Sequence, residues 1–253
     1  MKTNTIGIFI LATNSYFPLG LRLVNRFNHF YSGTARIVYY FVSDQNPSDF
    51  IPADVSYTWL EDAHNNWLEG TNSKFKNLLR LKEENLDYIF YMDSDTNVNR
   101  LFDDTWMLGE VVGAEHFGNQ DWMKDVKSFD RNPKSKAYVP LDTDLPQTYY
   151  HGAFFGGTKA KIMEMAEVLL EWQIEDKKIP YEPGVNDESY MNAYFHYNIP
   201  TSTILYQDFQ FTVSDGGGIE EKRNPNLNVQ HLIDGARDNK DKLWDIQKNR
   251  IVV

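Results

Sequence analysis

The chain has 253 residues, 42% hydrophobic and 15% aromatic, which is enough to bury a substantial core and too apolar for a disordered segment. A formal charge of −11 argues against a nucleic-acid binder, which would need Lys and Arg contacts to phosphates, and zero Cys excludes disulfides and thiolate metal centres. No stretch approaches the roughly 18 apolar residues of a membrane span, and no cleavage pattern follows the short run Ile6–Ala12. The expectation is a soluble, cytoplasmic protein without a membrane span.

Ile6–Ala12 reads as a first strand, ending in Thr13-Asn14-Ser15-Tyr16. Pro18 opens a helix, in which Leu19, Leu21, Leu23, Val24, Phe27 and Phe30 recur at mostly helical spacing. Gly33 punctuates, and Ile37–Val42 (IVYYFV) is a second buried strand. A loop marked by Pro47 and Pro52 precedes a strand at Val55–Leu60. Asn72–Glu84 then reads as an amphipathic helix carrying Lys74, Lys76 and Arg80.

Tyr88–Met92 follows as an unbroken apolar run of β-formers, a strand buried on both faces, which ends in Asp93-Ser94-Asp95. Such a strand delivers oxygen ligands to the sheet edge where α/β proteins place their chemistry. Asp93, Asp95, Asn97 and Asn99 partly match a calcium loop, but Val98 stands where Gly is needed and Asp104 replaces the closing Glu. A haloacid-dehalogenase-type nucleophile motif usually follows the first strand, and Asn97 breaks its fifth position. The third reading is the D-x-D of nucleotide-sugar glycosyltransferases, in which carboxylates hold a divalent cation against a diphosphate. An acidic chain needs such a cation to accept a nucleotide diphosphate. A solvated turn is the plain alternative.

Gly113–Phe117 reads as a further strand, and 119–146, with Pro133, Pro140 and Pro146, as long loops. Tyr149–Thr158 (YYHGAFFGGT) is an aromatic strand with Gly at positions of close approach. Thr158 is placed to cap a helix with Ile162, Met165, Ala166, Leu169 and Leu170 on one face. Pro180, Pro183 and Gly184 break the chain before Asn186, which is placed to cap a last helix with Asp187 and Glu188 in its first turn. A strand over Thr203–Phe211 and a Gly216-Gly217-Gly218 hinge lead into a polar tail, Ile219–Val253. Alternating strands and helices imply a mainly parallel Rossmann-type sheet, and the missing G-x-G-x-x-G disfavours its dinucleotide-binding version.

The segments IGIFILATNSY, RIVYYFVSDQ, YMDSD, RNPKSKAYVP, YYHGAFFGGT and NDESYMNAY stand in the order and spacing of one family. Over roughly residues 5–210 the chain resembles the retaining α-1,3-galactosyl- and N-acetylgalactosaminyltransferases that include the histo-blood group A and B enzymes. The resemblance implies a GT-A fold, manganese or another divalent cation, a UDP-sugar donor and an oligosaccharide acceptor. It implies one catalytic domain over 1–215, with a nucleotide-binding part to about 110, and a flexible tail over 216–253. By position, Asp93 and Asp95 match the metal pair, and Leu11, Ala12 and Tyr16 the segment around uracil and ribose. Lys74 falls near an Arg that touches the donor. His151, Gly152 and Ala153 match the triplet that gauges the sugar's 2-substituent, and Asp187 and Glu188 match the pair beside the reacting carbon. The family's His-Pro near the acceptor is read here as Gly113-Ala114, and its Trp before Asp-Glu as Val185.

Glu188 is the expected catalytic group, because a helix N-terminus favours an ionised carboxylate and retaining transfer passes through an oxocarbenium-like state. Helix-terminus acids without chemistry are its plain alternative. Trp67, Trp106 and Trp122 are candidate sugar platforms, and Lys222, Arg223, Lys240, Lys242, Lys248 and Arg250 candidate tail cations. His29, His64, His116 and His196 show no spacing of a zinc site. A nucleotide-sugar or carbohydrate-binding protein without turnover is the alternative function.

Overall fold

The computed structural model describes residues 3–96, 98, 101–116 and 129–204. Strands β1 (Thr5–Leu11), β2 (Arg36–Ser43), β3 (Tyr57–Glu61), β4 (Tyr88–Asp93), β5 (Val111–Glu115), β6 (Tyr150–Thr158) and β7 (Ser202–Ile204) form one sheet. Its order is β3-β2-β1-β4-β6-β5-β7. The first four strands and the β5–β7 pair are parallel, whereas β6 runs antiparallel to both β4 and β5. The mainly parallel sheet of a GT-A fold is thus present, with one reversed strand, β6, between β4 and β5.

Helix α1 (Phe17–Phe30) covers one face, and α2 (Trp67–Leu78), α3 (Lys159–Asp176) and α4 (Asn186–Tyr197) cover the other. Strand alternation explains the division. Ile6, Ile8 and Ile10 of β1, with Phe90 and Met92 of β4, pack with Leu21, Val24 and Phe27 of α1. Phe9, Ile89 and Tyr91 point the other way, against Phe75 and Leu78 of α2, Leu169 of α3 and Tyr190 of α4. Each fully buried large side chain contributes about 1.5–3 kcal/mol relative to exposure, so the two cores clamp β4 from both sides.

Glycine lets β6 lie against β4. A Cβ on Gly156 would stand 2.2 Å from a Phe90 ring carbon and 2.6 Å from the Ile89 carbonyl oxygen. Gly157 adopts φ +150°, where side chains are disfavoured. The close-approach glycines of YYHGAFFGGT are therefore used as the sequence suggests.

Three local expectations change. Helix α2 starts at Trp67, not Asn72, because Asn66 accepts a hydrogen bond from the Glu69 N–H (3.0 Å) while Glu69 accepts from the Asn65 N–H (2.9 Å). After Leu78 a 3₁₀ turn over Leu79–Leu81 replaces the helix. Thr158 precedes α3 without capping it through its side chain, its hydroxyl lying on the Glu110 carbonyl (3.4 Å) instead. Asn186 is not the cap of α4 but its first residue, in a left-handed conformation (φ 45°), with Ser189 Oγ accepting from the Val185 N–H at 3.0 Å.

The described part of the expected long loop, 129–146, is irregular and tied down at Asp176, which accepts from Ser135 Oγ (2.6 Å) and the Lys136 N–H (2.9 Å). Asn97, Asn99, Phe117, Trp122, the expected strand beyond Ile204, the glycine hinge and the tail cations lie outside the described residues. Among the described residues no helix is long and apolar enough to cross a membrane.

Candidate active site

β4 lies beside β1, with Asp93 in register with Leu11. Two residues after Tyr91, Asp93 emerges on the same face of the sheet, the face covered by α2 and α4. The Tyr91 hydroxyl donates to an Asp93 carboxylate oxygen. The chain then turns, with the Thr96 N–H on the Asp93 carbonyl (3.0 Å), and carries Asp95 into a position only 2% exposed. Arg22 of α1 donates to the Asp95 carbonyl (3.2 Å) and fixes this turn from the opposite layer.

Lys74 projects from α2 into the same space and is 4% exposed. Its ammonium forms an ion pair with Asp187, lies 3.8 Å from Asp93, donates to the Gly152 carbonyl at 3.3 Å and sits 4.1 Å from the Tyr91 ring centroid. Burial alone would drive this ammonium toward neutrality. Asp187 and then Asp93 overrule it and hold its pKa above the ordinary lysine value. One cation thereby joins α2, the end of β4, the start of β6 and the first turn of α4.

Glu188 follows Asp187 and is held at both oxygens. Tyr149 donates to Oε1 (2.8 Å) and the Gly152 N–H to Oε2 (2.6 Å). Gly152 is needed for this approach, since a Cβ there would lie 2.8 Å from Oε2 and 3.0 Å from the Glu188 Cβ. Asn192, one turn along α4, locks the helix to β6 by donating to the Tyr150 carbonyl (2.9 Å) and accepting from its N–H (2.7 Å). Burial pushes the Glu188 carboxyl up to about 7, against the lowering pull of the Gly152 N–H and the Tyr149 hydroxyl.

His151 is buried next to this carboxylate, its Nδ1 3.9 Å from Glu188 Oε2 and accepting from the Ala153 N–H at 3.0 Å. His116, just past β5, packs against it with ring centroids 4.6 Å apart. Gly113 and Ala114 lie inside β5 and are buried. The His116 ligand atom lies within 4.8 Å of those of His151 and Glu188. Ala153 is also buried, at 3% exposure.

The segment after β1 forms the neighbouring edge. Ala12 donates to the Val42 carbonyl (2.8 Å), Asn14 adopts φ 55°, and its side chain donates to the His64 carbonyl at 2.7 Å. Leu11 and Tyr16 flank this turn and are half-buried. Trp67 is 41% exposed at the start of α2.

The structure thus brings Lys74, Asp93, His151, Gly152, Asp187 and Glu188 into one cluster, with Asp95 at its edge. Sequence reasoning missed Tyr91, Tyr149, Asn192 and His116. Only Asn192 had a visible signal, as an amide one helical turn after Glu188. A separate cleft of about 750 Å³ between α2, α3 and residues 179–183 is lined by none of the cluster.

Hard oxygen donors at the end of a central strand suit a divalent cation such as Mn²⁺ or Mg²⁺. The cluster's chemistry fits one, because three carboxyl groups (Asp93, Asp187 and Glu188) act on the Lys74 ammonium and Asp95 lies two residues beyond Asp93. A mixed sheet with paired carboxylates at the carboxyl end of β4, near an Asp-Glu pair at a helix start, is consistent with a GT-A fold. Residues 1–213 match the family model described as Glycosyltransferase family 6, and the chain belongs to that family.

Among its relatives, Histo-blood group ABO system transferase 2 of Rattus norvegicus is 26% identical over 219 residues, 81% of this chain and 63% of that protein. Glycosyltransferase 6 domain-containing protein 1 of Macaca fascicularis is 30% identical over 222 residues, 79% of this chain and 66% of that protein. Globoside alpha-1,3-N-acetylgalactosaminyltransferase 1 of Gallus gallus is 26% identical over 217 residues, 79% and 60% respectively. The chain spans somewhat under two thirds of the length of these relatives.

Proposed function

We propose that this chain transfers galactose or N-acetylgalactosamine from a UDP-sugar to a hydroxyl of a galactoside-type glycan, in α-1,3 linkage and with retention of configuration. The observation that carries the reading is the Glu188 carboxylate, clasped by the Tyr149 hydroxyl and the Gly152 N–H beside the Lys74–Asp187 pair. A carboxylate fixed at both oxygens cannot swing away from a reacting carbon, so its position is set before the transition state forms.

Leu11, Ala12 and Tyr16 are the proposed wall for the uridine, and His151, Gly152 and Ala153 the floor beneath the sugar. Asp93 and Asp95 would hold a divalent cation, manganese on the family pattern, which neutralises the diphosphate and stabilises its developing charge as it leaves. Lys74 keeps Asp187 and Asp93 oriented. Glu188 stabilises the oxocarbenium-like carbon on the face opposite the diphosphate. The acceptor oxygen then enters where the diphosphate departs, which gives retention.

The relatives' names support the sugar and linkage classes: one is a globoside α-1,3-N-acetylgalactosaminyltransferase and another an ABO-system transferase. The test is UDP release from UDP-galactose and UDP-N-acetylgalactosamine with a galactoside acceptor, with and without Mn²⁺, and the anomeric configuration of the product. An α-linked product made from the α-configured donor is expected. Donor binding with no product would indicate a binding protein instead.

A further inference from the structure

We propose that His116, His151 and Glu188 form a second cation site, selective for a transition metal such as Zn²⁺, and that filling it stops turnover. Each residue offers one ligand atom, and these atoms all lie within 4.8 Å of one another. The β5–β6 pairing brings the two imidazoles together, with the His116 N–H on the Tyr149 carbonyl at 2.8 Å, and α4 supplies the carboxylate. The three residues are far apart in sequence, which is why histidine spacing gives no hint of the site.

The distances are close to those an ion of zinc's size sets. Zinc–nitrogen and zinc–oxygen bonds are about 2.0–2.2 Å, so two donors of a tetrahedral site lie roughly 3.3–3.6 Å apart. His151 Nδ1 and Glu188 Oε2, 3.9 Å apart, need to close by only a few tenths of an ångström. His116 follows the last residue of β5 and is half-buried, so its ring is not locked in the core, and its ligand atom is within 4.8 Å of the other two. The ion would take the Nδ1 lone pair that now accepts from the Ala153 N–H, so the site is a reversible one rather than a structural one.

Donor chemistry separates this site from the Asp93–Asp95 pair. Two imidazoles and one carboxylate, with an open position, form a set that zinc, copper and nickel favour, whereas an all-oxygen pair suits manganese and magnesium. The two sites therefore sort cations by softness. An ion on Glu188 Oε2 would cancel the charge proposed to face the reacting carbon. The inhibitory consequence rests on that proposed role of Glu188, and the binding site does not.

The test is a Co²⁺ titration of the full chain carrying Asp95→Asn, which silences the carboxylate pair, read by the ligand-field absorption of low-coordinate cobalt. Saturable binding that Zn²⁺ displaces is expected. His116→Ala and, separately, His151→Gln should each weaken it by at least about tenfold. Absent absorption, or an affinity unchanged in both variants, would overturn the site. In Mn²⁺-supplemented turnover assays, His116→Ala should raise the half-inhibitory Zn²⁺ concentration by a similar factor, and an unchanged value would overturn the inhibitory role. The optical arm needs no turnover, so it decides the metal site even if no UDP-sugar is used.

Discussion

Lys74 and Asp187 form a buried ion pair that fastens the middle of α2 to the first turn of α4. Removing one partner leaves the other charged in a desolvated cluster. Lys74→Met should cost about 3–5 kcal/mol, and Asp187→Asn less, because an amide can still accept from the ammonium. In the double variant much of the loss should return. Urea denaturation of the four proteins checks this, and strictly additive losses would mean that the pair is not coupled.

Glu188→Gln preserves size and removes the charge. UDP binding should persist by calorimetry while turnover falls by at least about 100-fold. A change under about threefold would reduce Glu188 to a helix-terminus acid.

The same carboxyl makes stability depend on pH. Its folded value, about 7, lies above the ordinary 4.5, so between these values the folded state holds the proton that the unfolded chain releases. Stability contributed by the neutral form is therefore lost as pH rises through that window. The full shift corresponds to at most about 3 kcal/mol, less for a side chain that keeps 15% of its surface exposed. In chelator, Glu188→Gln should melt above the wild type at pH 8, by about 2–4 °C per kcal/mol, and level with it at pH 5. Melting curves with the same gap at both pH values would contradict this.

Gly152 and Ala153 should separate in their effects. Gly152→Ala pushes a methyl onto Glu188, so turnover should drop with either donor. Ala153→Gly should instead shift the ratio of the two donors toward the N-acetylated one, within the about 1–3 kcal/mol of a methylene-scale fit, and Ala153→Leu should impair both. Donor competition assays check this, and an unchanged ratio in Ala153→Gly would remove Ala153 from the sugar pocket.

Asp95→Asn should weaken Mn²⁺-dependent UDP binding and abolish most turnover, as should exhaustive chelation of the wild type. Full activity in EDTA would exclude the cation from the reaction.

Most of the sheet was legible because β1, β2 and β4 are uninterrupted apolar runs, and the GGT of β6 marked a strand pressed against another. The start of α2 was misjudged because Asn65-Asn66 looks like loop until Glu69 is seen to close on it. The carboxylates of the site were legible as two short motifs, Asp-Ser-Asp and Asp-Glu, each at the end of a clear element. The hydrogen bonds that aim them were not. Tyr149 and Tyr91 look like any aromatic strand residue; strand alternation sets Tyr91 beside Asp93, and only the packing of α4 on β6 brings Glu188 to Tyr149. His116 and His151 likewise meet only through the pairing of two strands separated by more than thirty residues.

The reversed strand β6 carries a further consequence for how the protein comes into being. Its beginning lies at the same rim as the end of β4, so Gly152 meets Lys74 and Glu188 only after a pairing that spans some sixty residues of chain. Closing contacts of that sequence separation costs more chain entropy than the nearer β1–β2 and β2–β3 pairings, so they are expected to form last. Donor affinity should therefore appear in a single step at the end of refolding, which makes nucleotide-sugar binding a direct reporter of the completed chain.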